Sequence, residues 1–440
     1  MKLSHALRLG STPRLAFVGA GGKSTAIFKL ARELSPALVS STTHLGTWQA
    51  SLADRHFLVD VGKELPNIKH ELGSGVTLIS GAIPTGSDRT LELSMQQINK
   101  IYDLAEENNL PLLIEADGSH QRPLKAPDKH EPAIPDFVDM AVVVAGLSSI
   151  GKPLSDEFVH RSKIYSSLSK LSIGDLITPD AVVKILTCPQ GGLKNIPLSA
   201  KRVVLLTQID NLEILSYSNY IAKRLIPTFH SIVVTSLNQS TIWAVHEPTS
   251  AIILAAGEST RMGQPKQLLE IKGQSIIRII ALAALSARLS PVIVVTGAYE
   301  KQISESLHGL PVQIVHNANY QLGQSSSLQA GLLALPAETG AVIFLLADQP
   351  QVTPAVLDSL VEAHAIGFHS IHVPMVDSRR ANPVLFDRRT FTDLMSLKGD
   401  AGGRGIFNEY PIESIPWYDD RLLLDIDTIE DYQRALDMLS

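Results

Sequence analysis

Ala251-Ile252-Ile253-Leu254-Ala255-Ala256-Gly257-Glu258-Ser259-Thr260-Arg261-Met262-Gly263-Gln264-Pro265-Lys266 is the stretch on which the reading of the second half of this chain turns. Its first five residues form an unbroken apolar run, which predicts a strand buried on both faces of a parallel sheet. The loop that follows holds two glycines, so backbone N–H groups can approach phosphates, and Arg261 and Lys266 add cationic donors suited to a triphosphate. An ordinary strand-to-helix turn would use the same glycines. The two cations at these spacings favour the phosphate reading.

On either side, short β-branched runs alternate with longer helical patterns, the rhythm of βαβ units. In the first half, strands are predicted at 15–18, 37–40, 76–80, 112–115, 141–145, 203–207 and 231–235. In the second they are predicted at 251–255, 292–296, 312–315, 341–346, 370–373 and 383–386. The expected class is α/β with two domains, each a mostly parallel sheet with helices on both faces. The pattern breaks between Trp243 and Ser250, where His246, Glu247 and Pro248 precede the new strand. The expected division is therefore 1–247, P-loop-like, and 248–440, Rossmann-like.

Composition narrows the function classes. With 440 residues, 45% of them hydrophobic, the chain can fill two cores. The net charge of -6 supplies no basic field for a nucleic-acid backbone, so no nucleic-acid partner is expected. Residues 1–247 hold 24 Lys and Arg against 23 Asp and Glu, and residues 248–440 hold 14 against 21, so the acidic excess lies in the second half. The single cysteine, Cys188, excludes an intrachain disulfide and fits a reducing compartment. The first ten residues lack a long apolar segment behind them, and apolar runs such as 276–285, broken by Arg278, fall short of the roughly 20 residues of a membrane span. A cytoplasmic protein with no membrane partner is expected.

Further along the second half, Asp348 follows the apolar run 342–346 and so sits at the carboxyl end of a buried strand, where α/β sheets bind ligands. A carboxylate there suits Mg²⁺, which is held through one or two carboxylates plus substrate phosphates; the same residue before Pro350 could also serve a turn. Asp425 and Asp427 share one face of an extended segment, and Thr428 with Asp431 reads as a helix-capping pair.

Residues 254–266 resemble the LAAG-x-S-x-RMG-x-x-K signature of the MobA-like nucleotidyltransferases, and within them the molybdenum cofactor cytidylyltransferase (MocA-type) branch; the resemblance extends over 250–440. It implies nucleotide binding by Leu254, Ala255, Ala256, Gly257 and Gly263, with Ser327 of Gly323-Gln324-Ser325-Ser326-Ser327-Leu328 helping to hold base and ribose. It implies Asp348 and Asp427, preferred to Asp425, as ligands of Mg²⁺, with Mn²⁺ as the alternative ion, and Arg261 and Lys266 on the triphosphate. Asn382, Gly402, Gly403 and Arg404 match the segments around the acceptor, a molybdopterin-type cofactor. The activity implied is transfer of CMP from CTP to the phosphate of that cofactor with release of pyrophosphate. A guanylyltransferase of the same superfamily and a non-catalytic cofactor carrier are the competing readings. Ala256 stands where the guanylyl branch usually has glycine, and its methyl would narrow a base pocket against a purine.

In the first half, the strand at 15–18 runs into Gly19-Ala20-Gly21-Gly22-Lys23-Ser24-Thr25. A dinucleotide fingerprint would need glycine at Ser24; the ending is phosphate-loop chemistry, with backbone N–H groups, Lys23 and Ser24 directed at phosphates and Mg²⁺. Phe17 stands where the usual loop has its first glycine, so the loop is shorter or differently shaped. Glu115 and Asp117 close the strand at 112–115, where such a protein keeps a carboxylate for metal or water; Lys125, His44 and His130 are candidates to converge on an acidic ligand or substrate, although each histidine taken alone reads as a hydrogen-bonded structural residue. Residues 18–25, Ser41-Thr42-Thr43-His44-Leu45, Glu115-Ala116-Asp117-Gly118, Pro123-Leu124-Lys125-Ala126-Pro127 and His130-Glu131-Pro132 together resemble the selenium-dependent hydroxylase accessory (YqeC-type) family. ATP or GTP is the ligand implied there, and a molybdenum hydroxylase the recipient of the product.

Overall fold

The computed structural model describes residues 1–440 apart from Val61, Asn67, Ser259, Thr260, Arg261, Gly263 and Ser440. The chain forms two compact units, Met1–His246 and Glu247–Ser440. Each is an α/β unit built on one large, mostly parallel sheet.

The first sheet has nine strands: β1 (Arg14–Gly19), β2 (Ala37–Ser41), β3 (Arg55–Val59), β4 (Val76–Gly81), β5 (Leu112–Glu115), β6 (Met140–Gly146), β7 (Lys201–Thr207), β8 (Ser231–Ser236) and β9 (Thr241–His246). Their order is β9-β8-β7-β6-β1-β5-β2-β4-β3, and the β8–β9 pair alone is antiparallel. β1 lies near the centre because helices cover both its faces: Leu15, Ala16 and Phe17 have no exposed surface. The loops at the ends of β1 and β5 therefore emerge side by side.

The second sheet has eight strands. Its main members are β10 (Thr249–Ala255), β11 (Val292–Thr296), β12 (Gln313–His316), β13 (Ala341–Leu346), β14 (Ile371–Val376), β15 (Val384–Asp387) and β16 (Ile412–Pro416). β10 is central between β11 and β13, all parallel, and β15 runs antiparallel beyond β13. Alternate residues divide between two cores, as the period of a strand requires. Ile253, Ile343 and Leu345 pack with helices Ile276–Ser286 and Pro354–Gly367, whereas Ile252, Val342 and Phe344 pack with helix Gln324–Leu333. Strand β10 begins at Thr249, so only Glu247 and Pro248 separate it from β9.

β3, β9 and β16 are additions to the predicted strands. β3 and β16 are half-exposed edge or near-edge segments, Arg-His-Phe-Leu-Val and Ile-Glu-Ser-Ile-Pro, without the unbroken apolar run that marks a buried strand.

At the far end of the second sheet from the loop after β10, His364 lies 2.8 Å from Asp387 and its ring centroid is 5.4 Å from that of fully buried His372. Burial, reinforced by His364 and His369, pushes the His372 imidazole down to about 3. Unfolding returns it to the ordinary value of 6.5, so between these limits the unfolded chain binds the additional proton and acid favours unfolding. The urea midpoint of the second unit is expected to fall from pH 7 to pH 4, and His372→Leu to flatten that slope; an unaltered slope in the variant would remove His372 as its source.

Candidate active sites

In the second unit the site forms where β10 and β13 end. Lys266 stands in a short 3₁₀ turn, Lys266–Leu268, and its ammonium reaches Asp348 Oδ2 at 2.5 Å and Asp427 Oδ1 at 3.0 Å. Lys266 thus holds carboxylates 82 and 161 positions further along the chain. The segment holding Asp427 is fastened to the end of β13: Ile426 N–H donates to Asp348 O at 3.3 Å, Gln351 donates to Leu424 O at 2.5 Å, and Gln349 donates to Asp425. Asp425 is therefore held by an amide, whereas Asp427 shares the lysine. Burial raises the Asp348 carboxyl above its usual range against the pull of Lys266, and Asp425 and Asp427 add to that rise. Lys266 is raised in turn, because Asp348 and Asp427 outweigh the cost of burying its charge. Thr428 and Asp431 make the expected cap, Asp431 N–H to the Thr428 hydroxyl at 3.2 Å and Thr428 N–H to Asp431 Oδ2 at 2.9 Å.

Two clefts adjoin here. One, of about 340 Å³, is lined by Leu254, Ala256, Gly257, Lys266, Ser327 and Asp348 among others. The second, of about 380 Å³, takes in Asn382, Gly402, Gly403, Arg404 and Asp425. Leu254, Gln324, Leu346 and Asp400 belong to both. The four residues expected on the acceptor side thus face one space, and an Arg404 N–H reaches Asn382 Oδ1 at 3.5 Å. Ala255 departs from expectation: as the next residue along a strand it turns to the other face, and its methyl is packed in the core with Ile253. Arg261 and Gly263 lie outside the described residues.

The serine segment opens helix Gln324–Leu333, and its hydroxyls are engaged. Asn317 donates to Ser326 at 2.8 Å and to Ser327 at 3.0 Å, and Ser325 donates to Gly399 O at 2.8 Å. A Cβ at Gly323, whose φ is +102°, would meet Gly399 C at 2.3 Å, so glycine is required where these loops touch. Asn317 and Gln267, which donates to Gly257 O at 3.0 Å, position this site without having stood out in the sequence.

In the first unit, Gly19, Gly21 and Gly22 all have positive φ between β1 and helix Lys23–Glu33. A Cβ at Gly21 would lie 2.4 Å from Gly146 N and 2.6 Å from Pro123 O. Asp117 is the hub. It accepts from Gly19 N–H at 3.0 and 3.1 Å, and from Lys23 at 3.2 Å and Lys125 at 2.8 Å. Lys23 also folds back onto Gly19 O at 2.6 Å. Glu115 accepts from Ser24 at 3.2 Å and from Gln49 at 2.9 Å, and burial raises its carboxyl above the usual range. Gly21, Gly22, Lys23, Ser24, Thr25 and Glu115 line a cleft of about 420 Å³, to which His44 also contributes. Gly19 lies behind that cleft, its N–H and carbonyl both engaged. Two further expectations are corrected. Lys125 is closed off by Asp117, Glu131 at 2.8 Å and Gly118 O at 2.6 Å, so its charge is already answered. His130 is exposed and outside the cleft, because the turn that carries it points to solvent.

Residues 251–414 match the family described as MobA-like NTP transferase domain, and residues 15–163 match YqeC protein. The chain carries a YqeC domain at 15–163 followed by a domain that belongs to the MobA-like NTP transferase family. Purine catabolism protein PucB of Bacillus subtilis (strain 168) is 32% identical over 194 residues, covering 41% of this chain and 92% of that protein. Nicotine blue oxidoreductase of Paenarthrobacter nicotinovorans is 28% identical over 197 residues, 42% of this chain and 96% of that protein. Uncharacterized protein YqeC of Escherichia coli (strain K12) is 28% identical over 204 residues, 45% of this chain and 77% of that protein. The second unit is therefore a member of the nucleotidyltransferase superfamily.

The MobA-like domain has the chemistry to hold a divalent cation together with a nucleotide. Among the described residues no group of three or more His, Cys, Asp or Glu side chains is placed to hold a metal alone. Mg²⁺ asks for less, one or two carboxylates with phosphate oxygens completing the shell. Asp348 Oδ1 is buried with no hydrogen-bond partner among the described residues, and Asp348 and Asp427 share one lysine with Asp425 close by, so among the described residues this edge carries more negative than positive charge. Also among the described residues, no helix is long and apolar enough to cross a membrane.

In the YqeC domain, Asp117→Ala would leave two buried ammonium groups and the Gly19 N–H without their shared acceptor. A loss of about 3–5 kcal/mol in the stability of this domain is expected, measured by urea unfolding of the full chain. A loss below about 1 kcal/mol would show that the hub is not what holds the loop.

Proposed function

We propose that the MobA-like domain transfers CMP from CTP to the phosphate of a molybdopterin-type molybdenum cofactor, releasing pyrophosphate, in the maturation of molybdenum hydroxylases. The observation that carries this reading is the Asp348–Lys266–Asp427 cluster at the point where two clefts adjoin. A nucleotide in the first cleft would have its phosphates at Lys266 and the backbone of Gly257; an acceptor in the second would come from the side of Asn382 and Arg404. An acceptor phosphate oxygen attacks the α-phosphorus, the bond from that phosphorus to the bridging oxygen breaks, and pyrophosphate leaves with the electron pair. Asp348 and Asp427 would hold Mg²⁺, or Mn²⁺ in its place, which neutralises charge gathering on the transferred group. Lys266 would then leave its two carboxylates for the triphosphate, and Arg404 with Asn382 would hold the acceptor in line.

A redox reading, suggested by the name of the nicotine blue relative, is less favoured by a cleft edge where, among the described residues, Lys266 stands with Asp348, Asp425 and Asp427, which is phosphate and cation chemistry. CTP is preferred to GTP because the Ala256 methyl lines the first cleft, where it reduces the room for a purine. The YqeC domain, in this reading, binds the phosphates of ATP or GTP through residues 19–25 in support of the same maturation.

The purified 440-residue chain given molybdenum cofactor, Mg²⁺ and each nucleoside triphosphate should release pyrophosphate only with cofactor and CTP together. Asp348→Ala should lower kcat/KM by about 10²–10³, the usual effect of losing one preorganised charge contact in the transition state. Release that persists without cofactor, or an unimpaired Asp348→Ala enzyme, would overturn the proposal, and a preference for GTP would overturn its nucleotide assignment.

A further inference from the structure

Beside the phosphate loop, the YqeC domain has a second wall that a nucleotide's phosphates do not need. Residues 42–52 leave the carboxyl end of β2, and residues 82–94 leave that of β4. They pair as a short antiparallel ribbon: Thr47 N–H donates to Asp88 O at 2.8 Å, Thr90 N–H to Leu45 O at 2.9 Å, and Leu45 N–H to the Thr90 hydroxyl at 3.1 Å. Beyond Gly46 the ribbon gives way to a 3₁₀ turn, Thr47–Leu52, in which Gln49 is buried and Trp48 exposed. Gln49 is buried and donates to Ser24 at 2.6 Å and to Glu115 at 2.9 Å, which fixes the ribbon to the phosphate loop. Trp48 leaves 51% of its surface exposed, while its indole packs so closely on Gly46 that a Cβ there would lie 2.5 Å from the indole nitrogen. Both residues line the 420 Å³ cleft.

The charge on this wall is positive and not internally answered. Arg89, also on the cleft, has no carboxylate within ion-pair distance among the described residues. The acidic groups nearby are engaged: Asp117 with Lys23 and Lys125, Glu131 with Lys125 and Arg161, and Glu92 at 3.6 Å from His44. His120, on the opposite rim, stacks on His160 at 4.6 Å, and after burial the charges of Arg89, Arg161 and Arg122 push its imidazole below the usual range. A flat indole face next to an arginine without a partner is a receptor for a ring that bears negative charge.

We propose that this wall is a second ligand site, taking a planar aromatic anion with its ring against Trp48 and its carboxylate or phosphate on Arg89. The proposal rests on the phosphate-loop reading, since it places this ligand next to the outer phosphates of a nucleotide on residues 19–25. It makes the YqeC domain a two-substrate site.

The test uses the full chain with quinoline-2-carboxylate, 2-naphthyl phosphate and neutral quinoline-2-carboxamide, each titrated by ligand-observed NMR with and without a fluorescent ATP analogue, whose own affinity is measured separately. At least one anion should bind tenfold or more tightly than the amide, and which one does tells carboxylate from phosphate. Arg89→Ala and Trp48→Ala should each weaken that binding tenfold or more while leaving nucleotide affinity within twofold; Lys23→Ala should abolish nucleotide binding. Equal affinity for anions and amide, or insensitivity to both wall variants, overturns the second site. Failure of the wild type to bind the ATP analogue overturns the phosphate-loop reading instead.

Discussion

A carboxylate removed from water at the end of a parallel strand has to be met by positive charge, and both units are arranged around that requirement. In the YqeC domain Asp117 is met completely, by two lysines and a backbone N–H, and the consequence is a fixed loop. In the MobA-like domain Asp348 is met, among the described residues, on one oxygen, by a lysine that it shares with Asp427. Complete pairing builds structure. Incomplete pairing leaves a site that gains from a further cation or from the phosphates that bring one.

The same comparison explains why two lysines at strand-loop junctions differ in duty. Lys23 is 3% exposed and folded onto Gly19, so its charge shapes the loop before any ligand arrives. Lys266 is less enclosed, and its partners Asp348 and Asp427 come from two separate segments of chain. A charge held by distant segments reports on all of them at once.

Much of this was legible in the sequence because it follows from local rules. Unbroken apolar runs marked β1, β5, β10 and β13, and the position just past such a run marked Glu115, Asp117 and Asp348. What was hidden depends on contacts between distant segments. Gln49, Asn317 and Gln267 are amides with no motif of their own, made important by what they reach: Glu115 lies 66 positions from Gln49. His130 and Lys125 show the reverse. Their residue types suggested a ligand, but exposure removed one and pairing with Glu131 closed off the other, and neither property has a period or spacing that a sequence displays. Ala255 belongs to the motif, but the alternation of a strand turns its methyl into the core beside Ile253.

Leu254, Gln324, Leu346 and Asp400 form a wall common to the two clefts of the MobA-like domain, with Gly323 and Gly399 in contact behind it. A shared wall is a thermodynamic link. Whatever factor one occupant adds to the affinity of its neighbour, the neighbour must return in full, so order of binding cannot alter the combined affinity. Where that factor is favourable, each occupant tightens the hold on the other by the same amount. Two weak ligands can therefore act on this domain as one strong one.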